Sequence, residues 1–449
     1  MKGNRKIILA ILCTVFVFSA ASLLRTQDTT YPKPFQISPD ITYQHSIMMK
    51  PFYNPILKKY VVFFGDPDYK HTVWSRLVTP EGKPVGGVKE IFKGQMFWGG
   101  VAYNAKENQF LLVISDLSLD VIKGKLLDGK GRDAISGKHG DSAKEVIIKP
   151  STGALSAPMP KPVWIPETNQ YGIGWYNFYD GGFYYTALDS NLKRKVPVKK
   201  IMSGPVGHYE GEQWEIYASA LIALPDKLFW GTAKWIAMGK HRPMGFFTDF
   251  KGDMLPDIKG DTGKKIVYPG KAVKGSGEVR AAYNPVSDRL LLTWTDGDAL
   301  DFMRRGSEKS YFRIMDSNGK FKTKALQVGK TKARYQGNIE VVYNPTDNKF
   351  LMVWPEYKRS RLSSLSKDRV GYQKEGKLLA RSVDDKGKFL EKKPKILVPY
   401  ITQTAVYLIF AYFGANLAYN PDDNEYLLSY GLYMPVQKGK LILWGLIYP

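Results

Sequence analysis

Seven times along this chain an apolar run breaks at a short Pro/Asn/Asp turn and a second apolar run follows. The clearest copies are EVVYNPTDNKFLMVW (Glu340 to Trp354), RAAYNPVSDRLLLTW (Arg280 to Trp294) and LAYNPDDNEYLLSY (Leu417 to Tyr430). Weaker ones are KPFYNPILKKYVVFF from Lys50, GVAYNAKENQFLLVI from Gly100, PVWIPETNQYGIGW from Pro162 and ALIALPDKLFWGTAKW from Ala220. Two apolar runs around such a turn predict a β-hairpin, because Pro presets its own φ and Asn or Asp tolerates the backbone bends a tight turn imposes.

Spacing turns the hairpins into a fold. The residue before the turn proline, or its equivalent, falls at 54, 104, 165, 224, 284, 344 and 420, at intervals of 50, 61, 59, 60, 60 and 76. Between hairpins a strand, a tight Gly/Asp/Asn turn and another strand recur: WSRLVTPEGKPVG from Trp74, YTALDSNLK from Tyr185, FFTDFKGDM from Phe246, FRIMDSNGKF from Phe312 and ARSVDDKGKFL from Ala380. Each repeat therefore holds four antiparallel strands, A to D, and the long 3.6-residue periodicity of helical repeats is missing. The second strand of each hairpin is apolar on both faces, as in Phe350 to Trp354, so it must be covered on both faces. Radial stacking of sheets does this. The expected fold is all-β: a seven-bladed β-propeller of four-stranded blades. Its last repeat, ending in LILWGLIYP, lacks a fourth strand, and Lys33 to Ser38 are expected to supply it and close the ring, since a free edge invites aggregation.

Residues 1–25 read as a signal peptide or an N-terminal anchor: Lys2, Arg5 and Lys6 precede an apolar run from Ile7 to Phe18 and a small-residue stretch. Residues 26–449 read as one propeller domain. The expected location is secreted, periplasmic or at the cell surface. Cys13 is the only cysteine, so the remaining chain has no disulfide, thiolate metal site or catalytic thiol. In the second repeat both LLDGKG and KPSTGAL fit its second turn, and Tyr357 to Lys377 reads as a solvated Ser/Lys/Arg-rich insertion. The apolar stretch Ile401 to Asn420 reads as buried strand rather than membrane helix.

The A–B and C–D turns are short and alike, whereas the B–C and D–A connections vary, so the end bearing the latter is the one built for contacts. Asp66, Asp68, His71, Lys240, His241 and Arg242 fall on its B–C side; Met96, Phe97, Trp98, His208, Tyr335 and Gln336 fall on its D–A side. Candidate ligand-binding residues are Trp98, Tyr209, Trp214, Arg304, Arg305, Lys358, Arg359 and Arg361, since rings stack on sugar faces while guanidinium groups meet charges. If the chain is an enzyme, Asp116, Asp180, Asp296 and Glu356 are the candidate acids. Asp296, Asp298 and Asp301 could ligate calcium but lack the spacing of a full calcium loop, so no cofactor is expected. The formal net charge of +23 favours polyanions.

The YNP hairpin followed by a DxxGK turn resembles the repeats of secreted bacterial-type β-propeller proteins. It lacks the WD40 and kelch signatures and the sialidase box, and matches no specific activity family. The resemblance implies architecture alone. The expected function is a binding or interaction platform for an anionic or carbohydrate polymer or a surface protein. The alternative is a polysaccharide-active hydrolase or lyase with its site on the B–C/D–A face. The expected protein is a monomer without a specific nucleic-acid motif, touching membrane only through its N-terminal segment if that is retained.

Overall fold

The computed structural model describes residues 32–38, 47–48, 50–66, 72–93, 96–116, 121–134, 145–149, 160–177, 181–203, 220–237, 240–256, 266–271, 273–274, 279–296, 309–329, 335–336, 339–361, 372–405, 416–434 and 440–449. Every regular element among them is a strand, and the strands form seven antiparallel sheets. Residues Pro34–Pro449 make one unit. The chain is a seven-bladed β-propeller.

The A strands, each the first of its repeat, are Phe52–Asn54, Met96–Asn104, Lys161–Ile165, Ala220–Ala223, Arg280–Asn284, Glu340–Asn344 and Asn416–Asn420. Neighbouring A strands pack together around the ring, as the innermost strands of radial blades do. The B strands are buried on both faces, as their apolar pattern requires. Phe350 and Trp354 pack toward blade 5, and Leu351 and Val353 pack toward blade 7. Each seam between neighbouring blades has its own apolar cluster: Val61, Phe63, Phe110 and Leu112 fill the seam between blades 1 and 2, and Ile165, Tyr185, Trp230 and Phe246 that between blades 3 and 4. At about 1.5–3 kcal/mol per buried large apolar side chain, these seams dominate the stability.

Blade 7 closes as expected. Phe35 pairs with Gly445 and Gln36 with Trp444, while the Ile37 amide donates to the Leu443 carbonyl at 2.8 Å. The ring of Phe35 lies where a Cβ on Gly445 would meet it at 2.4 Å and one on Gly82 at 2.5 Å. This aromatic side chain therefore covers the last strand of the chain and touches the C–D turn of blade 1.

Two stretches differ from their sequence reading. Residues 357–361 and 372–376 are not loop: Lys349–Arg361 pairs with Tyr372–Asp384 through Arg361↔Tyr372, and Lys395–Ala405 continues the ladder to Tyr372↔Ala405. Ladder hydrogen bonds are made by the backbone, so a Ser- and Lys/Arg-rich sequence without apolar alternation can still extend a blade. Residues 401–405, the start of the apolar stretch, are strand in this extension; 406–415 lie outside the described residues. In blade 4, Lys240, His241 and Arg242 are not in a connection but open the C strand Lys240–Thr248, with His241 opposite Trp235. The second repeat takes LLDGKG as its C–D turn, where Gly131 donates to the Asp128 carbonyl at 2.9 Å.

Candidate functional site

The two ends of the ring are built differently. At the A–B end the turn asparagine is fully buried in blades 1, 2, 5, 6 and 7 (Asn54, Asn104, Asn284, Asn344 and Asn420). Its Oδ1 accepts amides two or three residues on, such as Asp347 N at 3.0 Å. In blades 1, 5 and 6 its Nδ2 reaches the next blade: Asn54 donates to Asn108 at 2.7 Å, Asn284 to Asn348 at 2.7 Å, and Asn344 to both Asn424 and Tyr426 Oη at 2.8 Å, whereas Asn420 donates to Asp423 of its own turn at 2.9 Å. The receiving residues Asn108, Asn348 and Asn424 sit at φ +48° to +54°, a left-handed conformation that asparagine tolerates better than most residues. The result is a run of amides stapling blade to blade.

The C–D turns carry the same economy of parts. In blade 6, Asp384 Oδ1 accepts the amides of Lys386 and Lys388 at 3.0 and 2.8 Å, and Gly387 takes φ +81°. A C-strand cation then reaches carbonyls of the preceding blade's outer edge. Arg381 donates to Val328 O, Arg313 to Pro269 O and Lys125 to Ile91 O, at 3.2, 3.1 and 2.7 Å; Arg76 likewise donates to Ile37 O. Arg313 and Arg381 also lie over Phe321 and Phe389, 3.6 and 3.4 Å from the ring centroids. Four acids at this end are matched by bases: Asp189 with Lys195, Asp316 with Lys322, Asp347 with Lys349 and Asp253 with Lys199, at 3.3, 2.8, 2.6 and 2.8 Å.

At the opposite end the candidate acids have separate environments. Asp116 is buried and its Oδ2 lies 2.8 Å from Lys123 Nζ. Glu356 is buried opposite Gln336, which accepts the Ser310 amide at 2.9 Å and donates to Gly329 O at 3.2 Å. That amide therefore packs the seam between blades 5 and 6. Asp296 ends its B strand opposite Lys309; burial pushes its carboxyl above the usual aspartate range, and Lys309 pulls it partly back. Burial, then the Asp296 charge, also raises Tyr311. Asp296 and Glu356 stand on neighbouring blades, and Asp116 stands three blades away.

Trp98, Lys358, Arg359 and Arg361 lie on strands, Trp98 opposite Ser115 and the other three opposite Glu375, Lys374 and Tyr372 in the blade 6 extension. Arg242 lies over the Tyr268 ring at 4.0 Å and donates to Gly270 O at 3.3 Å. Asp180, Tyr209, Trp214, Asp298, Asp301, Arg304 and Arg305 lie outside the described residues, as do Asp68, His71 and His208. Among the described residues no group of three or more His, Cys, Asp or Glu side chains could hold a metal ion.

One charged cluster was not among the sequence candidates. Lys50, Arg280 and Glu340 each stand four residues before a turn asparagine (Asn54, Asn284 and Asn344), so they occupy equivalent places at the B–C/D–A end of the inner strands. Arg280 Nε lies 3.6 Å from Glu340 Oε1 across the seam of blades 5 and 6. Lys50 lies in a break of the blade 1 A strand, between Met48↔Phe64 and Phe52↔Val61. It borders solvent yet is surrounded by protein. That burial holds its ammonium below the ordinary lysine value, while Glu340 pulls it up and Arg280 pushes it down. Lys161 of blade 3 holds the matching place. The signal that finds this cluster is the fixed four-residue offset from each turn asparagine.

No protein-family model matches the chain, and no curated protein matches it. Solved structures similar to it include AofleA from Arthrobotrys oligospora (10% identity, TM-score 0.43, covering 86% of this chain and 96% of that one). Another is the endosialidase of phage phi92 (9%, 0.44, 93% and 69%). A third is the β-fructofuranosidase of Schwanniomyces occidentalis complexed with fructosyl-erythritol (10%, 0.36, 93% and 94%). Likenesses at this level carry no argument about activity.

Proposed function

We propose that this chain is an extracytoplasmic propeller that binds an anionic or carbohydrate polymer at the end carrying the B–C and D–A connections. The observation that carries this reading is the formal net charge of +23, while Asp189, Asp316 and Asp347 at the A–B/C–D end are already paired with lysines. Lys358, Arg359 and Arg361 on the blade 6 extension, together with Arg304 and Arg305 of the sequence, are the cations this reading assigns to the polymer. A surface of scattered cations attracts polyanions through steering and counterion release. Trp98, Tyr209 and Trp214 supply rings for sugar faces.

The test is a binding array of acidic and neutral glycans and other polyanions, run at low and physiological salt beside product analysis. Binding that weakens steeply with salt and leaves the polymer intact supports the reading; salt-independent binding or none refutes it. The alternative, a polysaccharide-active enzyme, draws on Asp296, whose raised carboxyl suits a general acid. Cleaved products abolished by Asp296→Asn would establish it.

A further inference from the structure

We propose that the blade 6 extension has two unlike faces, and that the face on the blade 7 side is the seat of a sulfated glycan. Arg359, Arg361 and Lys374 are its charge partners there, and Tyr357 and Tyr372 its ring partners. This rests on the polymer-binding reading above and narrows it to one chemical class and one sheet face.

The ladder sets the faces. Successive strand residues alternate between the two sides of a sheet. Positions 357, 359 and 361 therefore share a side with Leu351 and Val353, which pack toward blade 7. The register Arg359↔Lys374 and Arg361↔Tyr372 puts positions 374 and 372 on that side too. Lys358 and Glu375, directly opposite each other, fall on the blade 5 side. Glu375 is the one acid in the sequence of residues 357–361, 372–376 and 401–405, so the blade 7 side of these rows carries three cations and no acid.

The cationic rows also outrun their neighbour. With the turn asparagines Asn344 and Asn420 aligned, Met434, the last residue of the B strand of blade 7, corresponds to Lys358. Positions 359 and 361 stand beyond that strand, where blade 7 has no ladder among the described residues to stack on them. Like charges directly across a ladder disfavour its pairing, as with Arg359 opposite Lys374, whereas Lys358 opposite Glu375 supports it. A bound anion removes that cost, so the register that weakens the bare extension strengthens the liganded one.

Spacing selects the ligand. Directly opposite positions lie about 5 Å apart and alternate positions on one strand about 7 Å apart, so the three cations share a patch the length of a short saccharide. A glycan with one charge per several sugars meets one cation at a time. A glycan sulfated on successive sugars meets all three, and its paired sulfate oxygens suit the guanidinium fork. Tyrosines on the same face match sugar rings, which an inorganic polyphosphate lacks.

The experiment is isothermal titration of the full chain, at low and physiological salt, with a heparin oligosaccharide, the same oligosaccharide desulfated, and oligothymidine. The parent is expected to bind the heparin oligosaccharide more tightly than the other two. Arg359→Gln/Arg361→Gln/Lys374→Gln should weaken that binding at least about tenfold and flatten its salt dependence. Lys386→Gln/Lys388→Gln/Lys392→Gln removes the same charge from exposed positions at the other end of blade 6 and should weaken it less than about threefold. Lys374→Glu places an acid opposite Arg359, so without ligand it should melt no lower than the parent, yet it should lose the oligosaccharide. That pair of results separates lost binding from lost folding. If the two triple variants weaken binding equally, affinity follows net charge alone; the face is overturned and polymer binding stands. A Lys374→Glu variant that melts below the parent, or binds like it, overturns the face as well. If desulfated oligosaccharide or oligothymidine binds as tightly as heparin, the sulfated-glycan class is overturned while polymer binding survives. If the parent binds none of the three, both readings fall.

Discussion

The A–B/C–D end and the B–C/D–A end of this ring come from the same strands but solve opposite problems. At the first, polar side chains are consumed by structure: Asn344 staples blade 6 to blade 7, Asp384 holds its own turn, and Arg381 spans a seam. At the second, charges such as Lys50, Arg280 and Asp296 border solvent or sit half-buried. Their proton affinities divide the same way. Burial pushes Asp316 up, but Lys322 and the amides of Lys320 and Asn318 outweigh it and hold the carboxyl below its usual value. Asp296 lacks such amides and is raised. Glu425 is the exception at the first end, raised chiefly by its burial. The difference teaches that a carboxylate is inert here when backbone amides surround it and chemically available when they do not.

The comparison can be broken at its strongest point first. Deleting residues 34–38 removes Ile37, which is fully buried, together with the ladder to Leu443 and the cover of Gly445. The expected loss is on the order of 5 kcal/mol, with aggregation through the freed edge, read by denaturant unfolding and light scattering. A truncated chain that unfolds like the full one would falsify the closure. Next is Asn344→Ala, which deprives Asn424, Tyr426 and Asp347 of a partner at once. It should cost about 3 kcal/mol, and a loss below about 1 kcal/mol would mean that the amide staples are ornamental.

A pH titration sharpens the contrast. Asp316 has a folded pKa below its unfolded value, so its stabilisation is present above that unfolded value, about 4, and is lost as pH falls through the folded one. Asp296 has the opposite sign: its charged form is penalised in the fold, and acidification through its raised value relieves the penalty. Asp316→Asn should therefore lower the melting temperature at pH 7 and flatten the acid limb, whereas Asp296→Asn should leave it level or higher at pH 7. Melting curves between about pH 3 and pH 7 decide it; equal losses at pH 7 would erase the distinction between the ends. The smallest stability effect belongs to the triple Lys358→Gln/Arg359→Gln/Arg361→Gln, within about 0.5 kcal/mol of the parent, with a shallower salt dependence of polymer binding.

The blades were readable because their turns need special residues. An asparagine at φ +50°, as at Asn348, or a glycine at φ +81°, as at Gly387, leaves a mark that recurs at each repeat. The candidate site was less readable. Arg280 and Glu340 open two of the clearest hairpins, yet nothing local says that they meet; only the stacking of blade 5 on blade 6 brings them within 3.6 Å. The blade 6 extension was missed because its ladder is carried by backbone groups that every residue possesses. Blade 4 misled in the opposite direction, since Lys240-His241-Arg242 has the polarity of a connection but pairs as strand.

Phe35 has a consequence in time rather than space. Ser38 and Leu443, bonded to each other in the closed ring, are separated by 405 residues of synthesis. The segment that completes the final blade is made well ahead of its berth over Gly445. Until that berth exists, every partial product carries an unfilled flank and a stray apolar strand, the two halves of an intermolecular clasp. Neighbouring nascent chains are then one another's nearest substitutes, so yield should depend on how far apart they are kept.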